Sequence, residues 1–181
     1  MTGRELVTLT RDVEAIQIPD GTLLVLREGS PVWIDQALGG TYTVVTRWDF
    51  MVRISGRDAD ALGREVEVVE VESSGTDRES VEKAAWDVMR TCYDPEIPVN
   101  LVDLGLVYRC TVTSLGEGRN RVEVKMTLTA PGCGMGPVMQ ADVEHRIKRL
   151  PGVEVVDVEV VFEPRWDLGM MSESARLELG M

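Results

Sequence analysis

Cys133 is the residue of this chain best equipped for chemistry. It stands in Thr129-Ala130-Pro131-Gly132-Cys133-Gly134-Met135-Gly136-Pro137, between a run that reads as a buried strand and one that reads as a helix. Glycine on either side leaves the sulfur unshielded and allows positive φ, and Pro137 is tolerated only in the first turn of a helix. The thiol is therefore expected at or just before a helix N-terminus, where unpaired N–H groups and the helix dipole favour the thiolate. A thiolate is both a nucleophile and a soft metal ligand. The competing reading, a small hydrophobe packed under the helix start, describes most free cysteines but sits poorly with the flanking glycines.

A second concentration of unusual residues runs from Asp94-Pro95-Glu96-Ile97-Pro98 to Asp103-Leu104-Gly105-Leu106-Val107-Tyr108. Two readings stay open for Asp94, Glu96 and Asp103. They cap turns in a loop stiffened by proline, or they stand beside the Cys133 loop. The other cysteines do not complete a cysteine cage. Cys92 and Cys110 are far apart in sequence, form no Cys-x-x-Cys pair and fall on apolar stripes, so both are expected in the core. His145 lies among charged residues of an expected helix and reads as a surface residue, which leaves a cysteine nucleophile without a base. Met135, Met170 and Met171 read as packing.

The elements that must position these residues fall into two halves. Residues 1–75 are expected to be a small all-β unit. Short apolar runs at 15–18, 23–26, 32–34, 41–45 and 50–54 are separated by Pro19-Asp20-Gly21, Glu28-Gly29-Ser30 and Leu38-Gly39-Gly40, with a helical turn at 58–63 and a last strand at 66–71. Nothing there gathers chemistry, and a structural or partner-docking role is expected. From 76 to 181 the reading is α-β-β-α-β-α. Thr76 and Glu79 form a capping box and Asp94-Pro95 ends that helix; strands follow at 107–113 and 121–129, a helix at 137–150, a strand at 153–162 and a short helix at 172–179. The fold class is thus α+β, a C-terminal domain with helices packed on a short mixed sheet behind a β-rich extension.

With 44% apolar residues in 181, the chain can bury a core, and its net charge of −12 with only Lys83, Lys125 and Lys148 as lysines disfavours nucleic acid and anionic membranes as partners. No stretch is long enough to span a membrane and the polar start lacks a signal-peptide core, so the chain is expected in the cytoplasm.

These segments resemble the SufT-like branch of the metal-sulfur cluster assembly family, which includes PaaD-type proteins and the eukaryotic cytosolic iron-sulfur targeting subunits. Asp94 to Pro98 with Asp103 to Val107 is similar to the family's first motif. Thr127 to Gly136 is similar to the second in its SufT form, and Trp166 with Met171-Ser172-Glu173-Ser174-Ala175-Arg176 to the tail. The β-rich half, with Gln36-Ala37-Leu38-Gly39-Gly40, is similar to the SufT extension. Arg165 departs from the pattern, standing where many relatives carry a second proline. The resemblance implies a non-enzymatic factor that matures or delivers iron-sulfur clusters, with iron-sulfur clients and assembly proteins as partners and iron or a cluster as transient cargo. It implies Cys133 as metal or cluster ligand, with Asp94, Glu96, Asp103, Thr129, Pro131, Gly132 and Gly134 as accompanying functional positions. One thiolate per chain holds such cargo weakly, which suits transfer. The residues are equally compatible with a monomer and a homodimer, in which each chain could contribute a cysteine. The alternatives are an adaptor that recruits cluster carriers without binding metal and, behind it, a thiol-dependent enzyme.

Overall fold

The computed structural model describes residues 4–38, 40–66, 75–94, 97–132 and 134–181. The chain is of the mixed α+β class, with a large antiparallel sheet, a smaller sheet and few helices. It divides into two compact units, Met1–Val69 and Glu70–Met181.

In the first unit, β1 (Glu5–Thr8), β2 (Val13–Ile18), β3 (Leu23–Leu26), β4 (Pro31–Leu38), β5 (Thr41–Thr46) and β6 (Met51–Ser55) form one sheet in the order β1-β4-β5-β6-β2-β3. Residues two apart share a face of a strand. Val13 and Ala15, Val32 and Ile34, Tyr42 and Val44, and Val52 and Ile54 thereby meet in one core, joined by Ala59, Ala61 and Leu62 of a 3-10 turn at Gly56–Leu62. The five apolar runs lie in strands, except that Phe50 stands just before β6. β1 was not legible, being four residues with three exposed. The strand expected at 66–71 falls, from Glu67 on, outside the described residues.

The second unit holds α1 (Arg78–Met89), β7 (Val107–Gly116), β8 (Arg119–Met126), α2 (Gly136–Lys148), β9 (Val153–Val160) and α3 (Glu173–Glu178). β7 and β8 pair antiparallel, and β9 joins β8 in parallel, a pairing that requires a crossover such as α2 provides. β8 alternates strictly. Asn120, Val122, Val124 and Met126 are buried, while Arg119, Arg121, Glu123 and Lys125 face solvent. On that open face Arg119, Arg121 and Lys125 pair with Glu154, Asp157 and Glu159 of β9. Val81, Ala84, Ala85, Val88 and Met89 of α1 and Val138, Met139, Val143 and Ile147 of α2 supply the helical side of the core.

Buried Asn120 fixes the far end of this sheet, its Nδ2 donating to the Thr76 carbonyl at 2.8 Å and the Gly152 carbonyl at 3.0 Å. Half-buried Arg146 joins α2 to the turn after α1, donating to Asp142 Oδ1 at 3.0 Å and Thr91 Oγ1 at 3.0 Å. Desolvation opposes its charge, but the facing Asp142 together with Cys92 outweighs this and raises its pKa.

Both ends of α1 differ from expectation. Its N-cap is Asp77, not Thr76: the Asp77 carboxylate accepts from the Ser80 backbone N–H at 3.1 Å and the Ser80 hydroxyl at 2.6 Å. Its end is at Met89, ahead of Asp94-Pro95, because the chain turns early to pair across the following loop. The Thr91 hydroxyl donates to the Val88 carbonyl at 2.6 Å, Tyr93 bridges to Asn100, and the Leu101 N–H donates to the Cys92 carbonyl at 2.8 Å.

Candidate functional site

The connection from α1 to β7 is held from inside. Val99, Leu101, Leu104 and Leu106 are buried anchors, and the backbone closes on itself through Leu104 N–H to the Asn100 carbonyl and Leu106 N–H to the Leu101 carbonyl, both at 3.0 Å. Asp103 is part of this turn. Its N–H donates to Asn100 Oδ1 at 2.9 Å and its carboxylate accepts from Asn100 Nδ2 at 2.5 Å. Asp94 is buried. Glu96 and Pro95 lie outside the described residues.

The connection from β8 to α2 starts where this loop ends. Val107 is paired with Met126, and the Thr127 N–H donates to the Leu106 carbonyl at 2.8 Å, so the two motif-bearing segments leave the sheet side by side. Thr127 and Leu128 are buried and Thr129 is half-buried, whereas Pro131, Gly132 and Gly134 face solvent. Gly132 has φ +79°, a left-handed turn that a side chain would strain. The chain re-enters the core at Met135 and Gly136 and continues into α2 with Pro137 in its first turn. Among the described residues no side chain caps that helix start. Cys133 lies outside the described residues.

The other two cysteines take core positions. Cys92 is fully buried, with Sγ 3.6 Å from the Val88 carbonyl. Cys110 is buried on β7, and burial, with Glu82 adding to it, pushes its thiol from an ordinary 9.0 up to about 12. An unfolded chain ionises this thiol at lower pH than the folded one. The contribution of Cys110 to stability is therefore fully present below pH 9.0 and is lost as pH rises toward 12. Urea midpoints measured across that window should fall less steeply in Cys110→Val; equal slopes would show that Cys110 does not titrate as its burial requires. His145 is exposed on α2, as its sequence context indicates.

The C-terminal segment has a structural part that sequence did not reveal. Trp166 Nε1 donates to the Leu104 carbonyl at 2.8 Å, the Ser172 N–H donates to the Asp103 carbonyl at 2.8 Å, and the Tyr108 hydroxyl donates to the Pro164 carbonyl at 2.8 Å. Gly105, at φ +75°, lets Met170 lie directly against the loop. Met171 and Ala175 of this segment are buried. The readable signals were Trp166 and Gly105, a large donor and a left-handed glycine outside any helix or strand.

A three-stranded sheet with helices on its buried face, and a glycine-rich loop running from strand to helix, is here the frame of a cluster-assembly domain. The sequence profile of the family described as "Iron-sulfur cluster assembly protein" matches residues 82–160, and the chain belongs to that family. It is similar to the Fe-S protein maturation auxiliary factor of Porphyromonas gingivalis, 47% identical over 93 residues that cover 51% of this chain and 85% of that protein. It is also similar to the Fe-S protein maturation auxiliary factor SufT of Staphylococcus aureus, 38% identical over 88 residues, 49% of this chain and 96% of that one. A solved domain of unknown function, DUF59, from Bacillus anthracis superposes with a TM-score of 0.53 at 32% identity, over 57% of this chain and 95% of its own length.

Proposed function

We propose that this chain is an iron-sulfur cluster maturation factor that helps deliver clusters to client proteins, and that it acts as a carrier or auxiliary rather than as an enzyme. Residues 76–181 are the working domain and residues 1–75 a β-rich extension that contacts clients or assembly proteins. The cargo is iron or an iron-sulfur cluster, held transiently by Cys133. Asp94, Glu96 or Asp103, a thiol from a second copy or an exogenous thiol completes its coordination. The cytoplasm is its compartment.

The observation that carries this reading is the loop between β8 and α2. Its solvent-facing glycines flank Cys133 and lead to a helix start that no described side chain caps, while Cys92 and Cys110 are committed to the core. Such a loop supplies one anionic sulfur per chain, enough to accept soft cargo and too little to retain it. The similarity to Fe-S protein maturation auxiliary factors supports the same assignment.

Anaerobic incubation with ferrous iron and sulfide, followed by iron and sulfide quantitation and mixing with an apo-client dehydratase, tests it. The expected result is substoichiometric to stoichiometric loading and faster recovery of client activity than free iron and sulfide give. A protein that neither loads nor speeds recovery, but speeds it when a separate loaded carrier is added, would replace the carrier by an adaptor.

A further inference from the structure

We propose that Trp166 is a positioning residue for the Cys133 loop, through a clamp that the C-terminal segment forms at the site end of the sheet; its use in cargo handling rests on the function proposed above. The base of the Cys133 loop, Met126–Thr127, is held from two sides. The Thr127 N–H donates to the Leu106 carbonyl on one side, and the Met126 carbonyl accepts from the Val161 N–H on the other, each at 2.8 Å. The segments continuing from these two flanks then meet each other. From Leu106 the chain leads back through Gly105 and Leu104 to Asp103, and from Val161 it leads forward to Trp166 and Ser172. Trp166 Nε1 on the Leu104 carbonyl and the Ser172 N–H on the Asp103 carbonyl join them. The Tyr108 hydroxyl on the Pro164 carbonyl closes the same circuit one step nearer the sheet.

The result is a ring of backbone around the base of the loop, built from two parts of the chain that the sheet alone does not connect. Leu104 and Leu106 are fully buried, so the loop side of the ring is anchored in the core. The tail side is held more lightly: Met171 and Ala175 are buried, but Phe162, Leu168 and Leu177 are exposed and α3 spans only six residues. Trp166 and Tyr108 are the side chains that cross between the two. With Trp166 in place Leu106 and Val161 hold Met126–Thr127 at a fixed spacing; without it the tail keeps only Ser172 on Asp103 and Tyr108 on Pro164 as its ties to this loop, and the base of the loop loosens.

Trp166→Phe keeps an aromatic ring and removes the donor, and Tyr108→Phe removes the second tie independently. In either folded variant, hydrogen exchange at the Thr127 and Val161 amides and alkylation of Cys133 by iodoacetamide should each rise about fivefold, the factor that one neutral hydrogen bond represents. Exchange at Val124, in the middle of β8, and labelling of Cys92 and Cys110 should stay at wild-type rates. Wild-type exchange and labelling in both variants would overturn the proposal. So would a parallel rise at every amide and all three thiols, which a merely structural role produces. The labelling needs no iron, so it judges the clamp even if the chain proves not to carry a cluster.

Discussion

Gly105→Ala is expected to destabilise the second unit by about 3 kcal/mol, a large effect for one methyl group. Two costs combine. The residue sits at φ +75°, where a side chain costs about 1–2 kcal/mol. A Cβ there would also lie 2.2 Å from the Met170 carbonyl oxygen and 2.7 Å from its carbon. Both are backbone atoms, so no rotamer relieves the clash and the tail must move. Moving it strains the bonds of Trp166 to the Leu104 carbonyl and Ser172 to the Asp103 carbonyl, each worth roughly 1 kcal/mol. Gly132→Ala is the control, with φ +79° and nothing within 4 Å of its Cβ, so it should show the conformational cost alone. Helical circular dichroism during urea unfolding reports the second unit, because α1, α2 and α3 all lie there. Equal losses in the two variants would show that Met170 does not press on the loop.

Cys133→Ser should leave folding unchanged and lower iron and cluster loading by at least roughly tenfold, the lower bound for disturbing even an outer group of a metal site. A hydroxyl is a hard, neutral donor at this pH, and it cannot replace a thiolate toward iron. The remaining cysteines offer no substitute. Cys92 is fully buried under α1, and Cys110 stays protonated until about pH 12. Bound iron, acid-labile sulfide and transfer to an apo-client, measured on both proteins at one concentration, decide it. Loading that survives the substitution would move cargo binding to the carboxylates and remove the thiol from the mechanism.

How far the chain could be read from its residues depended on how local the governing interactions are. The alternation along β8 and the three- and four-residue spacing of Val81, Ala84, Ala85, Val88 and Met89 are local patterns, and both were legible. The same patterns put Cys92 and Cys110 in the core, where they are. β1 was missed because its place comes from pairing with β4, not from an apolar pattern of its own. The early end of α1 was missed for a related reason: Tyr93 pairs with Asn100 across a loop, and that outweighs the stop signal at Asp94-Pro95. Thr76 looked like a cap, but Asp77 beside it offers a charged acceptor that a hydroxyl does not match.

The candidate site divides the same way. Two glycine- and proline-rich segments could be picked out by type, and so could the helix start, which lies at Gly136 beside Pro137. Their adjacency follows from the register of β7 on β8, which hydrophobic alternation only implies. The turn role of Asp103 needed Asn100 three residues earlier to be recognised as its partner. The bond from Trp166 to Leu104 spans 62 residues and leaves no periodic trace at all.

Asn120, described above as the tie at the far end of the sheet, is also one of two fastenings on a single strand. It joins the start of α1, the hairpin end of β8 and the turn before β9 at one point. The tail bears on the opposite end of the same strand, roughly 20 Å away at strand rise, where the Met126 carbonyl accepts from the Val161 N–H, so β8 is fastened at both ends by segments that lie outside its hairpin.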